Sequence, residues 1–246
     1  MEDLLVIVAA LAFGSLVKGM TGSGLPQVAI PVMATFLGPE RAVVIMAIPG
    51  VVSNGWLLWS HRRHLREARD LPALLGTGVV GAVAGTWLLT SLPAAVLALV
   101  LAAMIVAYVL LRATRVQVHL PARVTRWASP PVGLAAGALQ GATGISGPLL
   151  TTYIHAFRLE KHVYVVSLVT LFLVFSITQV GTLVGLGLYT QARLGESLLA
   201  MLPMAVFLPL GIRLSRRLSG RAFDNVVLVV LTLTAAKLVF DGIGGL

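Results

Sequence analysis

The sequence predicts an all-α integral membrane protein made of two inverted repeats, each a broken helical hairpin followed by three full transmembrane helices. Three observations carry this. First, 58% of the 246 residues are hydrophobic and 11% are charged, with a mean hydropathy of +0.96. That is more apolar surface than one water-soluble core can hide. Second, a glycine-rich break, Gly19-Met20-Thr21-Gly22-Ser23-Gly24-Leu25-Pro26, returns as Gly141-Ala142-Thr143-Gly144-Ile145-Ser146-Gly147-Pro148, with Gly19, Thr21, Gly22 and Pro26 recurring 122 positions later. Third, lysine and arginine fall almost entirely between the apolar runs, where cytoplasmic loops carry them. The formal charge of +9 therefore speaks for membrane topology and not for nucleic acid.

Taken in order, residues 4–18 and 26–37 flank the first break and read as a hairpin over 4–37. Residues 41–60, 71–91 and 93–112 are long enough for full crossings, at about 20 residues per crossing. The first repeat thus spans 1–112, and a polar stretch, 113–129, is the expected cytoplasmic linker. The second repeat, 130–246, opens with a hairpin over 130–157, from runs 130–140 and 148–157, and continues with crossings at 163–186, 195–214 and 223–243. Several hairpin arms are short enough to reach only about halfway across the bilayer. Met1-Glu2-Asp3 lacks the basic start of a signal peptide, so the first apolar run is expected to remain in the mature chain.

Charge placement tests the hairpins. If each returns to its starting side, the segments 61–70, 112–126, 158–161 and 213–221 share one side with fourteen basic residues, against Arg41 and Arg193 on the other. Single crossings would place 213–221 opposite 61–70 and 112–126, which the positive-inside tendency disfavours. The hairpin reading puts both termini outside and gives each repeat three full crossings, so the halves run in opposite senses. Gly85-Thr86-Trp87-Leu88 resembles Gly211-Ile212-Arg213-Leu214 at an offset of 126, a weaker trace of the same repeat.

The breaks carry the chemistry. Helix-breaking residues in lipid-soluble sequence survive where they line a protein cavity. Each break ends in a proline at the start of a new helix, so backbone N–H groups point into it and suit an anion. Candidate substrate-binding residues are Lys18, Gly19, Thr21, Gly22, Ser23 and Gly24 in the first break and Gln140, Gly141, Thr143, Gly144, Ser146 and Gly147 in the second, joined by Asn54. The competing role for the glycines is close helix packing. Lys18 and Gln140 occupy equivalent positions, an ammonium opposite an amide. Asn54 and Ser176 are also 122 apart; Ser53, Thr178 and Gln179 are their polar neighbours, and helix-to-helix bonding is the commoner use of such side chains. His155 is the candidate proton carrier if transport is proton-coupled. No Asp or Glu lies deep in an apolar run, and Lys237 and Asp241 are spaced to pair on the last helix. Trp56, Trp59, Trp87 and Trp127 read as interfacial anchors or packing residues.

Two motifs of the form G-x-T-G-x-x-x-P, each early in its half, resemble the sulfite exporter TauE/SafE family, also called the toluene sulfonate uptake permease family. The resemblance extends over nearly the whole chain. It implies a permease of the bacterial cell inner membrane that moves a small sulfur-containing anion such as sulfite, sulfoacetate or another organosulfonate. The second motif departs from the first, with Ile145 and Ser146 where Ser23 and Gly24 stand.

Other classes compete with a carrier. An anion-conducting pore or a membrane assembly subunit would also use broken helices. An intramembrane serine protease is suggested by Gly144-Ile145-Ser146-Gly147, but it requires a histidine on a later crossing, and only His155 and His162 follow Ser146. With no cysteine, thiolate chemistry is excluded, and no metal or cofactor is expected. The partners expected are the anionic substrate, the lipid bilayer and, compatibly, a second copy in a homodimer.

Overall fold

The structure is a computed structural model and describes residues 2–21, 24–60, 62–63, 71–114, 122–157, 159–214 and 220–245. Its principal elements are all α-helices, because in hydrocarbon a helix satisfies its own backbone polar groups. In chain order they are α1 (Glu2–Thr21), α2 (Leu25–Leu37), α3 (Pro39–Ser60), α4 (Pro72–Ser91), α5 (Ala94–Thr114), α6 (Ala122–Thr143), α7 (Gly147–His155), α8 (Lys161–Gly185), α9 (Gln191–Leu199), α10 (Met201–Leu214) and α11 (Gly220–Gly244).

Among the described residues, seven segments are long and apolar enough to cross a membrane: α1, α3, α4, α5, α8, α9 with α10, and α11. Six coincide with the crossings expected from sequence. The seventh, α1, corrects the expectation that 4–18 is a short arm: the helix runs through Lys18, Gly19 and Thr21 for 20 residues. Its partner α2 has only 13 residues, about 20 Å of helix at ~1.5 Å per residue. In the second half α6 has 22 residues and α7 only 9. Each hairpin therefore joins a long arm to a short one.

Helix α6 begins at Ala122, inside the stretch 113–129 expected as linker. Pro130 and Pro131 lie within it. The crossing expected over 195–214 starts at Gln191 and is interrupted between Leu199 and Met201. Pro203 has no N–H to donate to the Leu199 carbonyl, which explains an interruption at that point.

The first five helices meet the later ones chiefly through α4 with α6, α1 with α10, α5 with α11 and α3 with α8. Helix α4 packs along α6, and α1 packs along α10. The α4–α6 contact is made of small residues: a Cβ on Gly137 would collide with the Gly78 backbone, and one on Gly85 with the backbone of Ala138. The α1–α10 contact has the same character, since a Cβ on Gly19 would stand 2.9 Å from the Gly211 Cα and closer still to the Leu208 carbonyl oxygen. In lipid no hydrophobic drive pushes helices together, so close backbone approach of this kind supplies the association energy.

One face gathers the starts of α1 and α3, helix α9 and the end of α11. Arg41 pairs with Asp3 at 2.7 Å and with Glu196, and Arg193 pairs with Glu40 at 2.8 Å. Lys237 pairs with Asp241 at 2.6 Å, as their spacing predicted, and also reaches the Thr35 carbonyl at 3.1 Å. The Asp3–Arg41 contact brings the chain back beside its start once α2 is complete. The four tryptophans are all exposed on the helix surfaces.

The buried apolar residues form two clusters, one centred on α1, α2, α3, α5 and α11 and one on α4, α7 and α8. The seam between them holds the site.

The glycine contacts make a direct prediction. Replacing Gly137 by leucine is expected to destabilise the detergent-solubilised protein by about 1–3 kcal/mol or more through overpacking. Replacing Gly181 by alanine, where an added Cβ meets nothing within 4 Å, is expected to be neutral or mildly stabilising. Thermal unfolding of the two variants measures the difference.

Candidate functional site: the cavity where two helix breaks meet

The breaks are narrower than their motifs. Gly19 and Thr21 belong to α1, and Gly141 and Thr143 to α6. At the second break Gly144 leaves α6 with φ +69, and its N–H bonds to the Gln140 carbonyl at 2.8 Å. This left-handed residue closes the helix as glycine does best. The Thr143 hydroxyl donates to the Leu139 carbonyl and accepts from the Ile145 N–H, fixing the turn. At the first break Gly24 has φ +103 and immediately precedes α2. Both short helices then start with proline in the first turn, at Pro26 and Pro148, where its missing N–H costs nothing.

These two helix starts touch. The Gln27 amide lies against Gly147 so closely that a Cβ there would overlap it, and the Ile30 side chain lies against Gly144 in the same way. Gly24, Pro26 and Gln27 from one break and Gly144, Ile145, Ser146 and Gly147 from the other line a single cavity of about 260 Å³. The starts of α2 and α7 are thus both in its wall, and each carries the partial positive charge of a helix N-terminus.

Lys18 supplies the full charge. It is 8% exposed and lines the cavity, with Nζ donating to Ser53 Oγ at 2.9 Å and to Asn54 Oδ1 at 3.1 Å. Both partners are neutral. An ammonium has three N–H donors, so one remains for a ligand. No carboxylate is among the described residues that line the cavity. An unpaired buried charge is expensive, which leaves an anion as the natural counterpart.

The second half answers with amides. Gln140 Nε2 donates to Gln179 Oε1 at 3.2 Å, and Gln140 Oε1 accepts from the Ser146 hydroxyl at 2.8 Å. Gln179 Nε2 donates to the carbonyls of Gln140 and Gly141, at 2.8 and 3.1 Å. The Gln140 carbonyl already accepts from the Gly144 N–H, whereas the Gly141 carbonyl is one of the acceptors a helix end leaves without an intrahelical partner, so Gln179 supplements the one, satisfies the other and pins the break to α8.

Of the candidates from sequence, Lys18, Gly24, Asn54, Gln140, Gly144, Ser146 and Gly147 line the cavity. Gly19, Gly141 and Thr143 stand behind it: Gly19 is pressed on α10, Gly141 on α4, and Thr143 is spent on its own turn. Gly22, Ser23 and the Thr21 side chain lie outside the described residues. His155 is exposed at the end of α7 with its ring edge-on to Tyr164 at 6.0 Å, and does not line the cavity. Among the polar residues of the cavity wall outside the candidate set are Gln27, Ser176 and Gln179. In the sequence Ser176 is the position 122 from Asn54 and Gln179 its polar neighbour; Gln27 carries a signal of its own, as the one amide in the apolar run 26–37.

The cavity has a floor and a mouth. Ile30, Val43 and Met46 in its wall are buried, toward the face with the Arg41 ion pairs. Leu57, Thr151, Tyr164, Val165 and Phe172 in its wall are partly exposed, toward the end of α3 and the start of α8. The hydroxyl of Ser146 is bonded to an amide, and no histidine is among the described lining residues, so the base a serine protease needs is not beside it.

Comparison with known proteins bears on the same residues. The family model described as sulfite exporter TauE/SafE matches residues 6–238, from the first turns of α1 to the last turns of α11, and so takes in both breaks and the whole cavity. No curated protein and no solved structure matches the chain. With an all-helical body, seven segments able to cross a membrane and a family match over nearly its full length, the chain belongs to the sulfite exporter TauE/SafE family and is a membrane transporter, not an enzyme.

Proposed function

We propose that the chain is a permease of the bacterial inner membrane that carries a small sulfur-containing anion, sulfite, sulfoacetate or another organosulfonate, in the cavity between its two helix breaks. The observation that carries this is the Lys18 ammonium: it is buried, held by two neutral acceptors, and has one donor to spare beside the starts of α2 and α7. A sulfonate or sulfite group presents several acceptor oxygens, and one ammonium with two helix starts matches them without a cage of permanent charge that would trap the ion. Release stays within reach. The sealed floor at Ile30, Val43 and Met46 favours a carrier with alternating access over an open pore.

The reading includes two inverted repeats with both termini on the periplasmic side. Two features support it. Packing is reciprocal, with α1 of the first half on α10 of the second and α6 of the second half on α4 of the first, and the matched pairs Gly19–Gly211 and Gly141–Gly85 mark both contacts. Arg41 and Arg193, the two basic residues that charge counting set apart, stand together, each paired to an acid of the other's helix.

Two measurements test the proposal. Replacing Lys18 by methionine is expected to weaken sulfite or sulfoacetate binding to the purified protein by about 10- to 100-fold, the value of a charge-assisted hydrogen bond, while arginine keeps part of it. Calorimetric titration decides, and unchanged affinity in the methionine variant would refute the site. Single cysteines at Ala68 and Leu218 are expected to react with an impermeant thiol reagent from the cytoplasmic side only, and one at Gly195 from the periplasmic side only. Labelling of Ala68 and Leu218 from opposite sides would end the inverted-repeat reading.

A further inference from the structure

Most polar side chains in the cavity wall are committed to a protein partner. Lys18 and Asn54 hold each other, Gln140, Ser146 and Gln179 form one network, and Thr151 bonds to the carbonyl of Gly147. Gln27 stands apart. It is 9% exposed, its side chain makes no hydrogen bond within the described residues, and Oε1 is buried without a donor. As the third residue of α2 it is placed to cap the helix by accepting from the Gly24 N–H, and that bond is not made. Its amide is wedged between Gly24 and Gly147, where the two helix starts meet.

The orphaned oxygen distinguishes Gln27 from the other buried unpaired groups, the hydroxyls of Ser15, Ser167 and Thr170. A serine or threonine hydroxyl in a helix can turn back to a carbonyl one turn earlier. An amide oxygen is an acceptor only and needs an N–H or O–H brought to it. Across the cavity on α8, Ser176 is 3% exposed, and its hydroxyl has no protein partner among the described residues. It faces Gly50 of α3. A bare oxyanion has acceptors alone. It can take the third N–H of Lys18, the Gln27 amide N–H and the Ser176 O–H, but leaves Gln27 Oε1 unmet.

We propose that Gln27, with Ser176, determines specificity by reading a hydrogen-bond donor on the transported anion, so that the preferred substrate carries an O–H or N–H beside its sulfur oxyanion. This class comprises hydroxyl- or amino-bearing sulfonates and singly protonated oxyanions. Sites that hydrogen-bond a substrate group reject analogues lacking it, because their own buried polar atoms are then left unpaired. The inference rests on the sulfur-anion reading of the cavity.

The test compares two sulfonates of nearly equal size, 2-hydroxyethanesulfonate and 1-propanesulfonate, by calorimetric titration of the purified full-length chain. The wild type is expected to prefer the hydroxylated ligand by about tenfold. Gln27→Leu is expected to bring the ratio close to one, with the fall in preference exceeding any change in affinity for 1-propanesulfonate. Ser176→Ala, a smaller change that preserves packing, is expected to lower the ratio in the same direction. A wild-type ratio near one, a ratio unchanged in both variants, or an equal loss for both ligands would overturn the role of Gln27 and Ser176 and leave the cavity's anion reading intact. Failure of the wild type to bind either sulfonate would overturn that reading and this one together.

Discussion

A peptide group in hydrocarbon has no water to bond, and each one left unpaired costs several kcal/mol. This constraint organises the chain. The described helices keep their backbone groups inside regular ladders over most of their length, and the second break is surrounded by protein. At the second break the accounting is visible bond by bond: Gly144 turns back to Gln140, Thr143 closes the turn, and Gln179 reaches across from α8 to the last carbonyls of α6. Prolines at Pro26 and Pro148 then remove donors at the points where the following helices would leave them unpaired.

The same constraint explains how a transporter holds a charge between two apolar clusters. Lys18 is kept in place by Ser53 and Asn54, which stabilise the ammonium without neutralising it. The second half puts an amide at the matching position, and its network is closed on itself except toward the cavity. One half therefore contributes charge and the other contributes rigidity. That division follows from differences between the two motifs, above all lysine at 18 against glutamine at 140, with Ser146 standing where the first motif has Gly24.

Much of this was legible in the sequence because lipid leaves few options. Six crossings follow from run length, and the breaks announce themselves as glycine and proline where hydrocarbon tolerates neither without compensation. The limits of the breaks were less legible. Gly19 and Gly141 look like helix ends in isolation, yet they remain helical because α10 and α4 press against them, a tertiary effect that local composition does not encode. Helix α1 likewise extends to Thr21, and α6 begins at Ala122, within the polar stretch. Gln27 is inconspicuous in the sequence, since it lies beyond the glycines in a run whose other residues are nearly all apolar; only the apposition of the two short helices puts it in the cavity wall.

The exchange of contacts between halves bears on how the protein is made. Helix α1 precedes α10 in the sequence, yet the surface that fits its Gly19 face belongs to α10, which is synthesised some 180 residues later. Helix α4 waits a shorter time for α6. Until both later helices are made, the Gly19 face of α1 and the small-residue face of α4 lack the partners that cover them in the folded chain, so the spacing of partners along the sequence bears on the order in which these contacts can form.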